Sequence, residues 1–287
     1  MTGLQVEHTH DAPAAAEFSG VPGGPSFWQR VRKSPLHDCP VRDEILRQYL
    51  AIAADSSVLE LGPGSGFTAF CMSRTVRSLT LVDIAQQTIA DLQEQLGDQP
   101  NVRCVHADTT RPGFAESLNE KFDVAFGLDV FEYVPEPVAC LRNLTASLRE
   151  GGRLFLTFPN FAPPAGDGVT YFSELSELEA ALRAAGLSDW RIFTVKLNPY
   201  AQRIYQVFHE WPLSIYRKLR GGQNGQPQVY EATWAFQNRG KLRRHRAVMH
   251  FYWEIIIGLL RLGGAPFTAR PVTDGILNRQ LVLIGRR

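Results

Sequence analysis

The chain has 287 residues, 44% of them apolar, 10% aromatic and 21% charged, an ordinary globular composition that excludes collagen-like, coiled-coil and wholly disordered readings. Its 30 basic and 29 acidic residues leave a formal charge of +1, so no global attraction to nucleic acid or to an anionic membrane is expected. The length allows one large domain, or a domain carrying an insertion.

Residues 1–24 are rich in Ala, Pro, Gly and Ser and lack the basic-then-apolar order of a secretory signal; they read as a flexible leader. From Pro25 to Ala54, Phe27, Trp28, Val31, Val41, Ile45, Leu46, Tyr49 and Leu50 recur at spacings that suit amphipathic helices covering one end of a sheet. A regular alternation of short β-rich runs and helical patterns follows. The runs are Ser57–Leu61, Ser78–Asp83, Val102–His106, Phe122–Phe126 and Gly152–Phe158. Parallel neighbours need crossover connections, so five such units predict an α/β fold with helices on both faces of a mostly parallel sheet. A helix from about Glu174 to Ala185 stopping at Gly186, a strand from Trp190 to Lys196 and a last strand from Gln280 to Ile284 complete the pattern.

Asn198–Arg270 differs in composition. It holds 9 Arg and 2 Lys against 3 Glu, a formal +8 where the rest of the chain carries −7, and 12 of the 30 aromatic residues in 73 positions. Ile204, Phe208, Trp211, Ile215 and Leu219 recur at helical spacing. The expected organisation is a leader over 1–24, N-terminal helices and a cofactor-binding core over 25–197, a helical cap inserted over 198–270, and the final strand over 271–287. The longest apolar stretch, around Phe251 to Leu260, contains Glu254 and is too short to span a bilayer. The cysteines Cys39, Cys71, Cys104 and Cys140 lie more than thirty positions apart, so packed, reduced thiols, a cytoplasmic protein and no metal site are expected.

The strongest local signal is Val58-Leu59-Glu60-Leu61-Gly62-Pro63-Gly64-Ser65-Gly66-Phe67-Thr68, a strand running into a glycine turn and then a helix. Glycines let backbone approach a ligand at the carboxyl edge of an open α/β sheet. Phe67 stands where a dinucleotide loop wants its third glycine, three positions after Gly64, and the Gly-Lys-Ser/Thr of a P-loop is absent. Glu60 suits an ammonium better than a pyrophosphate. Asp83, 23 positions further on, can accept from both hydroxyls of a ribose, and Asp108 from an adenine amine. Adenine, ribose and an amino-acid ammonium together describe S-adenosylmethionine.

With these residues in place, the chain resembles the class I S-adenosylmethionine-dependent methyltransferases over roughly Ser57 to Lys196 plus the last strand. Glu60-Leu61-Gly62-Pro63-Gly64-Ser65-Gly66 is similar to that family's first motif and Leu81-Val82-Asp83 to its second. His106-Ala107-Asp108-Thr109 resembles the adenine-side loop, and Leu128-Asp129-Val130-Phe131-Glu132-Tyr133-Val134 the segment after the fourth strand. Tyr133 stands where family members often have His. The resemblance implies a Rossmann-like seven-stranded sheet of order 3-2-1-4-5-7-6 with strand 7 antiparallel, and cofactor contacts at Glu60, Gly62, Gly64, Gly66, Asp83, Ile84, Asp108, Thr109 and Leu128.

A sulfonium methyl is already electrophilic, so the protein has to align donor and acceptor and exclude water. A protonated acceptor also needs a base. His209, His245 and His250 in the insertion are the candidates, with Glu210 weaker, and Tyr133, Tyr205 and Trp211 are expected to line the acceptor pocket. Oxygen is the expected methylated atom as a prior and not from the insertion, with carbon and nitrogen open; aromatics and arginines in the insertion suit a small or lipid-like acceptor. They suit equally a surface helix touching membrane, or a cap whose aromatics are its own core. A nucleic-acid methyltransferase and a non-methylating cofactor-binding protein are the alternatives. Against the first stand the near-zero net charge and the lack of an Asn-Pro-Pro-Tyr or Asp-Pro-Pro-Tyr tetrapeptide.

Overall fold

The computed structural model describes residues 39–64, 66–162, 169–212, 215, 251–252, 254–274, 277 and 279–287. The leader and most of the 198–270 segment, including His245 and His250, lie outside the described residues. Eight strands form one sheet: β1 Ser57–Leu61, β2 Ser78–Asp83, β3 Val102–His106, β4 Phe122–Leu128, β5 Leu148–Asn160, β6 Asp189–Leu197, β7 Phe267–Pro271 and β8 Arg279–Arg286. Their order is β3-β2-β1-β4-β5-β8-β6-β7. Strands β1 to β5 pair parallel with their neighbours, and β8 runs antiparallel to both β5 and β6. The order implied by the resemblance is therefore present, with β8 as its seventh strand.

One strand is added. β7 pairs antiparallel with β6 at the sheet edge, at the end of the segment read as purely helical, so the sheet has eight strands rather than seven. Only Phe267 of its five residues is buried, and Pro271 sits at its end, a residue tolerated on an edge strand because no inward N–H is missing there.

Both faces of the sheet are covered, which is why strands such as Ser57–Leu61 are buried throughout. Side chains alternate between two cores. On one face Val58, Leu79, Leu81, Val124, Phe126 and Phe155 pack under the Cys39–Tyr49 helix, through Val41, Ile45 and Leu46, with Leu50 just beyond it. On the other, Leu59, Leu61, Ala125, Leu154 and Leu156 meet the Pro137–Ser147 and Leu175–Ala184 helices, through Cys140, Leu141, Leu144, Leu178 and Leu182. The second of these helices opens with a reciprocal capping box, Glu174 with Glu177, and closes at Gly186, φ +83°, the left-handed turn that glycine accommodates.

Candidate active site

The three loop glycines adopt left-handed backbone, with φ of +61° at Gly62, +52° at Gly64 and +71° at Gly66, which side-chain-bearing residues rarely tolerate. The Gly62 N–H donates to the Val82 carbonyl at 2.8 Å, tying the loop to β2. A Cβ at Gly62 would lie 2.3 Å from Val130 Cγ2, so this glycine lets the turn after β4 close against the loop. At Gly64 the same added atom would meet nothing within 4 Å. That backbone faces open space at the carboxyl edge of the sheet, the side on which open α/β sheets take their ligands.

Glu60 shares a sheet face with Val58, beneath the Cys39–Tyr49 helix, and is buried. Its Oε2 has no hydrogen-bond partner among the described residues. Burial, reinforced by the neighbouring Asp43 and opposed by Arg42, pushes its pKa up to about 8. A buried, partnerless carboxyl is costly, and the arrangement is relieved when a cation arrives.

Asp83 ends β2, with Oδ1 accepting the Ala85 N–H at 2.8 Å. Its pKa is raised because burial outweighs the donation from Ala85 and Ile84 and the nearby His106. Ile84 projects an apolar side chain that is 59% exposed, and its carbonyl accepts from His106 Nε2 at 2.9 Å. Asp108 turns back on its own loop: Oδ1 accepts from the Thr110 N–H and hydroxyl, at 2.9 and 2.7 Å, and Oδ2 lies 3.2 Å from Arg111 Nε. It thus holds the loop shape, with lone pairs to spare for one further donor. Thr109 is buried and its hydroxyl donates inward to Cys140 Sγ at 3.4 Å, which leaves its backbone as the part that belongs to the loop.

The turn after β4 carries a polar network that the sequence reading missed. The carbonyl of Leu128 accepts a long bond, 3.4 Å, from Arg42 on the Cys39–Tyr49 helix, and the same nitrogen lies 3.3 Å from Asp129 Oδ2. Asp129 takes left-handed backbone, φ +53°. Its Oδ1 accepts from the Thr157 hydroxyl at 2.8 Å and the Gln280 amide at 2.5 Å. Strands β5 and β8 and the Cys39–Tyr49 helix therefore pin one turn. Glu132 follows on the 3-10 turn Phe131–Tyr133, fully buried with neither carboxyl oxygen partnered among the described residues. Burial and the Asp129 charge hold its pKa well above the ordinary range. Phe131 anchors that turn against Phe158 and Phe172, at ring separations of 5.2 and 6.4 Å, and Tyr133 beside it is half-buried.

The expected acceptor-side residues do not converge. Tyr205 ends the Pro199–Tyr205 helix and is buried in the core with Phe193, Ile256 and Phe267; it fills space there rather than lining an open pocket. Trp211 is 63% exposed, on a different face of the continuing helix. His209 lies in the π-helical segment Gln206–Glu210, with its side chain outside the described residues.

Residues 59–156, which run from β1 into β5, match the family model for a methyltransferase domain. The chain thus carries a class I, Rossmann-like methyltransferase domain. It is similar to a ubiquinone biosynthesis O-methyltransferase of Pseudomonas fluorescens (strain Pf-5), at 29% identity over 194 residues covering 60% of this chain and 82% of the relative. A Pseudomonas aeruginosa (strain PAO1) protein of the same name is 28% identical over the same extent. A solved phosphoethanolamine N-methyltransferase 2 of Haemonchus contortus shares the fold, with a TM-score of 0.50 and 13% identity over 85% of this chain and 52% of that one. The activity these findings support is S-adenosylmethionine-dependent methylation of a small molecule. The residues of this methyltransferase fit that donor: the orphaned Glu60 oxygen suits an ammonium, the open face of Gly64 a close backbone approach, and Asp83 beside exposed Ile84 a ribose next to a flat apolar ring.

Proposed function

We propose that this methyltransferase transfers a methyl group to a hydroxyl oxygen of an apolar small molecule. The observation that carries the donor half is the buried, partnerless Glu60 carboxyl beneath a glycine turn whose Gly64 faces open space. The relatives' names, O-methyltransferases of ubiquinone biosynthesis, support oxygen and an apolar ring-bearing acceptor. S-adenosylmethionine, when bound, supplies a methyl group on a positively charged sulfur that departs with the bonding electron pair.

The chain's own residues do the rest. Glu60 would hold the ammonium, Asp83 the ribose hydroxyls, Ile84 one face of the adenine and the Asp108–Thr109 loop its edge; Gly62, Gly64, Gly66 and the end of β4 at Leu128 shape the backbone around the donor. The turn from Asp129 to Tyr133, fixed by Arg42, Thr157 and Gln280, would wall the crevice beside the donor. Holding an oxygen lone pair in line with the methyl–sulfur bond supplies much of the rate. The new bond is oxygen to carbon, and the hydroxyl proton passes to a base, for which His209, His245 and His250 are the candidates, histidine being the commonest general base.

The test is product analysis with isotopically methyl-labelled S-adenosylmethionine and matched apolar phenols, alcohols and amines. Label on oxygen, lost in the variant Asp83→Asn, is expected. Label that reaches only nitrogen or carbon, or only RNA or DNA, refutes the oxygen assignment.

A further inference from the structure

Two helices of the 198–270 segment are apolar on both faces. The first buries Ala201 and Tyr205 yet exposes Phe208, Trp211 and Ile215 further along. The second, over 251–252 and 254–261, buries Ile256, Ile257 and Leu260 while Phe251 and Ile255 stay exposed, as does Leu262 just beyond it. The Tyr252 hydroxyl donates to the Phe208 carbonyl at 2.6 Å, so the two exposed rows adjoin. Soluble surfaces rarely leave so much apolar area together unless something covers it.

Charge decides what covers it. Arg217, Lys218 and Arg220 follow Ile215 within five positions, and Arg243, Arg244 and Arg246 precede Phe251 within eight. A row of Trp, Phe and Ile bordered in sequence by Arg and Lys matches a bilayer interface, where aromatics sit at headgroup level and cations meet lipid phosphates. No described helix is long and apolar enough to cross a membrane, so the mode is lying on the surface rather than spanning it. Topology gives the docking a use. β6 runs parallel to β5, since both are antiparallel to β8, so the Pro199–Tyr205 helix leaves the sheet at the same carboxyl edge as the glycine turn.

We propose that this paired apolar face docks the protein onto an anionic lipid surface, with the crevice edge turned toward the bilayer. The proposal stands apart from the oxygen assignment, because its test reads binding without turnover. Sedimentation of the full chain with phosphatidylcholine vesicles, with and without one-third phosphatidylglycerol, is the experiment. Pelleting with the anionic vesicles is expected, reduced at least tenfold in 1 M salt, where screening is nearly complete at about 3 Å. It should also fall at least tenfold in the double variant Phe251→Ser/Leu262→Ser, which alters only exposed positions and whose folding is checked by calorimetric binding of S-adenosylhomocysteine. Wild-type protein that stays in the supernatant at low salt overturns the proposal. So does a mass that doubles with concentration in the wild type but not in the double variant, which would give the face to a second copy of the chain. Equal pelleting with neutral vesicles, insensitive to salt, overturns the charge argument on which the choice of a lipid surface rests.

Discussion

Cofactor binding should release a proton, and Glu60 should be its source. In the empty protein burial, aided by Asp43, holds the Glu60 pKa at about 8, so about 0.9 of the population carries the proton at pH 7. An ammonium placed against the carboxyl favours its ionised form. Binding then expels nearly one proton at pH 7 but only about 0.1 at pH 9. Titration calorimetry with S-adenosylhomocysteine reads this directly, in pairs of buffers that differ in ionisation enthalpy. The slope of observed heat against buffer enthalpy is the proton count, and Glu60→Gln should flatten it. The same group acts on stability. An unfolded chain ionises Glu60 near pH 4.5 while the folded one keeps the proton to about 8, so the contribution is full below pH 4.5 and lost as pH rises through 8. The urea midpoint of the empty protein should therefore drop across that window, and less so in Glu60→Gln. A wild-type buffer slope of zero at pH 7, or a slope that survives in Glu60→Gln, refutes the assignment of Glu60 to the ammonium.

The loop glycines separate folding from binding. Gly62→Ala, with left-handed backbone and a Cβ 2.3 Å from Val130, should lose about 3 kcal/mol of stability in urea unfolding. Gly64→Ala, with open space around the new atom, should lose only about 1 kcal/mol while weakening cofactor binding at least tenfold; the reverse ranking would place the ligand elsewhere. Arg261→Ala strands the buried Glu44 carboxylate, which Arg261 grips at 2.7 and 2.5 Å. The expected loss is about 2 kcal/mol, less than for a wholly buried pair because the guanidinium is half-exposed. Adding Glu44→Gln should restore most of it in thermal unfolding.

β1, β2 and β3 begin and end where their β-rich runs place them, each run being bounded by polar or glycine residues. β7 offers no such signal, because four of its five residues face solvent and its pairing with β6 depends on segments seventy positions apart. Side-chain direction was likewise hidden. Arg42 is one more charged residue on an amphipathic helix until folding brings it to Leu128, 86 positions away, and Gln280 meets Asp129 across 151. Nor does the sequence say that the Thr109 hydroxyl points inward to Cys140. Tyr205 and Trp211, six residues apart on one continuous helical run, fall on opposite fates, core and solvent, and helical spacing alone does not say which side meets the sheet.

The position of β8 sets an order of events during synthesis. The strands flanking the glycine turn, β1, β2 and β4, have all left the ribosome long before residues 279–286, the ones that fill the gap between β5 and β6. Until then the nascent protein consists of a five-stranded half-sheet with a bare edge at β5 and a separate β6–β7 ribbon with nothing to join. Bare edges invite pairing with other chains. The donor cradle can form early, while cover for the β5 edge arrives only with β8.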